Sequence, residues 1–390
     1  MLSRIVNRIV VLKAMDSLVG RIVTKLALLV PLNRSVPAEN VKSVLIIRPG
    51  GIGDAALLAP AIRSFKNMYP SSHIRILAER RNEGVFSLIS EVDDVLCYDR
   101  PGELLQALRG CYDAVMDTEQ SHRLSAVVAR FSSAPVKIGF ATNNRHRMFT
   151  HRIFYSHDDY EAVSFTHLLE PLSIEAGRGD MRVPFLSVPG SAISTAAGLL
   201  ASLHDEPYVT LFPGASIPER RWGADRFRLV AEAVAASNIR IVVVGGNDDR
   251  QQGELISGKG LGLNLAGVTS LPETAAVIQK SALLLSADSG LLHIAVGLGV
   301  PTVSLFGSGR AKKWAPQGGR HIVINKELSC SPCTTFGTTP ACPIDARCMR
   351  EITVEEVVDA AAALLTGPAI NPFVAAGVAP CQHTSVHPPP

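Results

Sequence analysis

A surplus of charge of one sign is the first thing missing. Among 390 residues, 38 Lys and Arg stand against 35 Asp and Glu, for a formal net charge of +3. Such a balance leaves no electrostatic footprint for nucleic acid. The small surplus is also local. In residues 1–40, Arg4, Arg8, Lys13, Arg21, Lys25 and Arg34 meet only Asp16 and Glu39, so this arm carries +4 and residues 41–390 carry −1. The seven cysteines are too few and too scattered for a disulfide framework, which points to a reducing compartment. No Asp-x-Asp triplet occurs. The pairs Asp93-Asp94, Asp158-Asp159 and Asp248-Asp249 are adjacent, and neighbouring strand residues face opposite ways, so a metal-bridged diphosphate is not favoured.

The arm also lacks an unbroken apolar span. Basic residues interrupt residues 2–30 every few positions, which argues against a transmembrane helix and against a secretory signal. Leu, Ile and Val on one face and Arg and Lys on another suit a helix lying on an anionic membrane surface. The plainer alternative is a helix docked on the protein itself.

What is present is enough material for two cores. Hydrophobic residues make up 47% and charged residues 19%, and the length exceeds what one core ordinarily supports. After Pro37, short apolar runs at 44–48, 73–78, 94–98, 114–117 and 136–139 alternate with helical stretches, beginning with 54–68. The pattern fades over 140–205. It restarts at 208–212, 239–244, 263–266, 282–286 and 302–306, with helices expected at 225–237, 271–280 and 353–365. Such alternation predicts α/β architecture with parallel sheets covered on both faces. The expected organisation is a basic arm (1–40), one α/β domain (41–190), a boundary near 185–205, a second α/β domain (205–366), and a Pro/Ala/Gly-rich, disordered tail (367–390).

Three turns carry the chemistry. Gly50-Gly51-Ile52-Gly53-Asp54 follows the first run. Residues 51–56 satisfy G-x-G-x-x-A, with Glu79 after the next strand, and so imitate a dinucleotide fingerprint. Asp54 argues against that reading, because a carboxylate at the helix start would repel the pyrophosphate. There it serves either as an N-cap or as a base that takes a proton from a substrate hydroxyl. In the second half, Pro213-Gly214-Ala215-Ser216 with Arg220 and Arg221 beside it forms a plausible phosphate cradle, or else a surface turn with solvated arginines. Asp288-Ser289-Gly290-Leu291-Leu292-His293 opens a helix at another strand end, again an anion site. His293 either reaches that anion or sits in the core.

Taken in order, segments 44–60, 211–227, 287–307 and 330–357 resemble the heptosyltransferases, glycosyltransferase family 9, and the likeness spans about residues 41–365. The resemblance implies a GT-B fold, two Rossmann-like parallel-sheet domains facing across a cleft. It also implies inverting, metal-independent transfer of a heptose from an ADP-heptose donor to the lipopolysaccharide core, with no cofactor. Asp54 would be the general base. Gly50, Gly51, Ala215, Ser216, Arg220, Asp288, Ser289, Gly290, Leu291 and His293 would bind the nucleotide-sugar, with Asp248 at the ribose and Thr269 at the adenine edge. Arg220 stands where the family usually has lysine. A cytoplasmic location, peripheral on the inner membrane face, is expected. An NAD-dependent oxidoreductase and a non-catalytic nucleotide-sugar-binding protein are the competing readings. Cys330, Cys333, Cys342 and Cys348 are read as reduced thiols or a structural zinc site. Arg123, Arg130, Arg145, His146 and Arg147 form either a face for an anionic acceptor or a solvated basic surface.

Overall fold

The computed structural model describes residues 16, 19–27, 29, 32, 40–175, 181–336 and 338–366. The expected disorder of residues 367–390, and most of the arm, lie outside the described residues.

Two six-stranded parallel sheets form the frame. In the first, β1 (Ser43–Ile47), β2 (His73–Ala78), β3 (Asp94–Cys97), β4 (Ala114–Asp117), β5 (Val136–Phe140) and β6 (His151–Ile153) run in the order β3-β2-β1-β4-β5-β6. In the second, β7 (Tyr208–Phe212), β8 (Arg240–Val243), β9 (Gly262–Asn264), β10 (Leu283–Ala287), β11 (Thr302–Phe306) and β12 (His321–Asn325) run in the order β9-β8-β7-β10-β11-β12. The two orders are equivalent. Each reverses direction beside its first strand, which opens a crevice at the carboxyl ends of β1/β4 and of β7/β10. The central strands are buried on both faces, as continuous Val, Ile and Leu runs require.

The structure departs from the expected elements in two places. The helix expected over 54–68 is two pieces, Ile52–Leu57 and Ala59–Met68. Pro60 has no N–H to give Ala56, so the chain turns at Leu58. Edge strands β6 and β12 were not anticipated. The first has one apolar residue, while the Ile322-Val323-Ile324 run in the second was a usable signal. The expected boundary interval 185–205 contains the helix Gly190–Leu200.

The halves are packed as one body. A single apolar cluster runs from Ile46 and Ala56 in the first half through Phe185 and Leu186 to Ile294 and Val300 in the second. The start of the helix Ile52–Leu57 lies against the start of the helix Gly290–Gly297. A Cβ on Gly53 would stand 2.5 Å from His293 Cδ2, and one on Gly290 would stand 2.7 Å from Ile52. Only glycine permits so close an approach.

The described part of the arm is docked. Residues 19–27 are helical, with Gly20, Thr24 and Ala27 turned inward. The Asp16 carboxylate accepts from the N–H groups of Arg123 (2.8 Å) and Leu124 (2.8 Å), at the free start of the helix Arg123–Phe131. The opposite face exposes Val19, Ile22, Leu26 and Leu29 beside exposed Arg21 and Lys25. Both readings of the arm therefore have a physical basis in these residues.

Candidate active site between the two crevices

The first crevice is lined by charge that neutralises itself. Arg48 directly follows β1 and is buried. Its guanidinium donates to the carbonyls of Pro49 (3.0 Å) and Thr118 (2.9 Å) and to Glu119 Oε2 (3.1 Å), while Asp54 Oδ2 lies 3.6 Å from Nη2. Arg145, buried completely, pairs with Asp117 and donates to the carbonyls of Glu119 and His122. Burial alone would raise Glu119, but Arg48, His122 and Arg145 overcome it and hold the carboxyl below its ordinary range. For Asp117 burial wins, and its pKa is raised despite Arg145.

Asp54 is not an N-cap. Gly51 occupies that position, and Asp54 stands at the third residue of the helix with no capping bond. Its carboxylate is a quarter exposed, receives Trp314 Nε1–H at 3.3 Å on Oδ1, and faces Arg48 on Oδ2. A partly open carboxylate at a helix start, with one side toward solvent, can accept a proton from a hydroxyl delivered there. Gly50 takes φ +93°, a left-handed turn that places Gly51 at the helix start.

The second crevice is built differently. Arg220 Nη1 meets Asp288 Oδ2 at 2.8 Å, joining the loop after β7 to the end of β10 across the reversal point. Ser289 is the N-cap of Gly290–Gly297, accepting from Leu292 N, and shares a hydrogen bond with Ser286 Oγ at 2.7 Å. Asp288 therefore holds a cation, and the amides of Gly290 and Leu291 are left to meet an anion. Arg221 braces the turn instead, donating through Nε (3.1 Å) and Nη2 (3.0 Å) to the Ala215 carbonyl. Ala215 is buried and Ser216 exposed.

His293 joins the two crevices. It is buried against Gly53, between the charges of Asp288 and Asp54, and Nδ1 has no hydrogen-bond partner among the described residues. Burial lowers its pKa, with Asp288 and Asp54 opposing. The ring is thus neither plain core nor openly solvated.

Asp248 and Thr269 stand apart from the Arg220–Asp288 pair, on the rims of β8 and β9, one and two strands from β7. Their turns are joined by Gly267 N–H to the Gly245 carbonyl at 2.9 Å. Asp249, not Asp248, is the buried member of its pair, and its carboxylate accepts from Gly246 N at 2.9 Å. Of the basic residues at 123–147, Arg145 and Arg130 are buried and present no charge to an acceptor, whereas Arg147 is exposed. Cys330, Cys333, Cys342 and Cys348 are free thiols, and burial raises Cys333 and Cys348. Among the described residues no group of three or more His, Cys, Asp or Glu is placed to hold a metal ion.

Sequence reasoning missed Arg48, Glu119, Glu161, Lys313 and Trp314. Arg48 had a signal, a cation immediately before a glycine turn. The others come from three separate segments, and nothing local marks them.

Residues 102–341 match the sequence model of glycosyltransferase family 9 (heptosyltransferase). The chain belongs to this family. It is a glycosyltransferase, and its paired sheets are the GT-B arrangement. Among curated relatives, lipopolysaccharide heptosyltransferase 2 of Salmonella typhimurium is 22% identical over 293 residues, covering 68% of this chain and 82% of that protein. The crystal structure of the family 9 glycosyltransferase from Veillonella parvula superposes with a TM-score of 0.69 at 20% identity, covering 85% of this chain and 99% of that one. The ADP-heptose lipopolysaccharide heptosyltransferase II of E. coli gives 0.67 at 21% identity, covering 83% and 98%. This family 9 glycosyltransferase therefore keeps the fold across deep sequence divergence.

Proposed function

We propose that this protein transfers a heptose from an ADP-heptose to a lipopolysaccharide-core acceptor, with Asp54 as general base. Residues 41–190 hold the acceptor, and residues 205–366 hold the donor. The acceptor hydroxyl gives its proton to Asp54. Its oxygen bonds to the anomeric carbon as the bond from that carbon to the diphosphate oxygen breaks, and ADP leaves with the electron pair from the opposite face, inverting the centre. Arg220 and the amides of Gly290 and Leu291 meet the diphosphate charge in place of a metal. Gly50 and Gly51 border it from the first half, Ala215 and Ser216 form its cradle, and Ser289 and His293 flank the anion. Asp248 meets the ribose and Thr269 the adenine edge.

One observation carries this reading. The partly exposed Asp54 carboxylate stands where two helix starts from opposite sheets converge, with an arginine-bearing crevice on the second side. The relatives' names supply the heptose, the ADP and the lipopolysaccharide. The exposed Val19, Ile22, Leu26 and Leu29 stripe, beside Arg21 and Lys25, supports seating on the anionic inner face of the cytoplasmic membrane. No helix among the described residues is long and apolar enough to cross a membrane. A thermal-shift panel of ADP-, GDP- and UDP-sugars tests the donor. Stabilisation by a GDP- or UDP-sugar and not by ADP-heptose would overturn the donor assignment.

A further inference from the structure

Two consecutive residues of the second half reach into the first. Lys313 and Trp314 end the short helix Ala311–Trp314, which follows β11. Lys313 is fully buried, and every partner of its ammonium group belongs to the first half. Nζ donates to the Ser156 carbonyl (2.6 Å) and Ser164 Oγ (2.5 Å) and pairs with Glu161 Oε2 (2.9 Å). It also lies over the Tyr155 ring, 4.2 Å from the centroid. Three acceptors match the three N–H bonds of an ammonium, so the charge is fully satisfied. Glu161 is held in turn by Gln120 and by Tyr155 OH at 2.9 Å. The next side chain, Trp314, donates Nε1–H to Asp54 Oδ1.

The two oxygens of Asp54 are therefore addressed from opposite halves, Oδ2 by Arg48 and Oδ1 by Trp314. A carboxylate on a single torsion would otherwise rotate freely. With both oxygens engaged, its plane is fixed only while the second half is seated on the first.

We propose that the Ala311–Trp314 helix is a cross-half positioning element in which Lys313 sets the register of the two halves and Trp314 orients the Asp54 carboxylate toward the acceptor hydroxyl. The catalytic part rests on Asp54 being the base. The registering part does not. A Lys313 displaced from its three acceptors carries Trp314 with it, because one peptide bond separates them. Separation of the halves then releases the base from its productive orientation, so proton transfer is favoured only in the closed arrangement.

The sequence has only two tryptophans, and Trp222 is buried within the second half, donating Nε1–H to the Ile352 carbonyl. In a Trp222→Phe background, Trp314 alone reports the seam. Adding Glu161→Gln, or the milder Ser164→Ala, is expected to raise acrylamide quenching of Trp314 about threefold, as the seam opens locally. Should Trp222→Phe melt too low, the accessible fraction in the two-tryptophan protein gives the same answer. Unchanged quenching in both variants overturns the registering role, whatever the donor proves to be.

The orienting role is read from kinetics with ADP-heptose and a lipopolysaccharide-core acceptor. Trp314→Phe is expected to lower kcat about tenfold, the loss of one hydrogen bond to a charged group, with the donor KM within about twofold of wild type. A Trp314→Phe variant with wild-type kcat overturns the orienting role while an inactive Asp54→Asn leaves the base assignment standing. An active Asp54→Asn overturns the base assignment and with it the orienting role, and the quenching result then decides the registering role alone.

Discussion

At the reversal point of the first sheet, Arg48, Glu119, Arg145 and Asp117 are paired with one another and buried. At the equivalent point of the second, one pair, Arg220–Asp288, stands beside a serine-capped helix start. The strand orders are equivalent and the backbones offer the same crevice, yet the contents differ. In the first half the cations are consumed by internal partners, and the carboxylate left partly open is Asp54. In the second half, Asp288 holds Arg220 at the crevice, and unsatisfied amides accompany it. Topology thus supplies two equivalent crevices, and side-chain pairing decides that one presents a partly open carboxylate and the other an arginine beside a serine-capped helix start.

Asp54→Asn is the sharpest way to break the comparison. It keeps the shape and removes the proposed base, and kcat should fall about 10³-fold with the donor Kd little changed, read by steady-state kinetics and calorimetry. Arg145→Met should leave Asp117 buried and unpaired, costing about 3–5 kcal/mol in urea unfolding without any direct loss of donor contacts. If Arg145 instead served the acceptor, the variant would be stable and raise the acceptor KM. Arg220→Ala should weaken the donor about 10- to 100-fold if its guanidinium meets the diphosphate, and should also lower the melting temperature, because the buried Asp288 carboxylate loses its cation. Equal losses of donor affinity from Arg48 and Arg220 substitutions would erase the distinction between the halves.

The smallest effect is one of pH. Burial, joined by the charge of Asp54 and opposed by Lys313 and Gln120, pushes the Glu161 carboxyl up to about 7 from an ordinary 4.5. A raised carboxyl binds its proton more tightly when folded, so its contribution to stability is complete below about 4.5 and is lost as pH rises through about 7. Between pH 6 and 8 the loss should be on the order of 1 kcal/mol. Glu161→Gln should flatten that part of the melting-temperature profile. A wild-type profile that rises with pH over this window would contradict the environment described for Glu161.

Much of the frame was legible along the chain. The central strands announced themselves as short apolar runs, because a strand buried on both faces must be apolar at nearly every position. The glycine turns were legible too, since a left-handed Gly50 and a close approach at Gly53 restrict the residue types allowed. Strand β6 was not, because an edge strand three residues long carries almost no apolar pattern. Nor was the break at Leu58, although Pro60 was in plain view.

By itself, the sequence determined the alternation of strands and helices, the three glycine-bearing turns at strand ends and the placement of Asp54 just after Gly53. Tertiary structure alone decided that Asp54 is no cap, that Asp288 holds Arg220, that His293 rests on Gly53, and that Lys313 is seated in the opposite half. The physical reason is range. Turn chemistry and burial periodicity act over a few residues, whereas an ion pair between positions about 150 residues apart forms only when folding has brought both halves together.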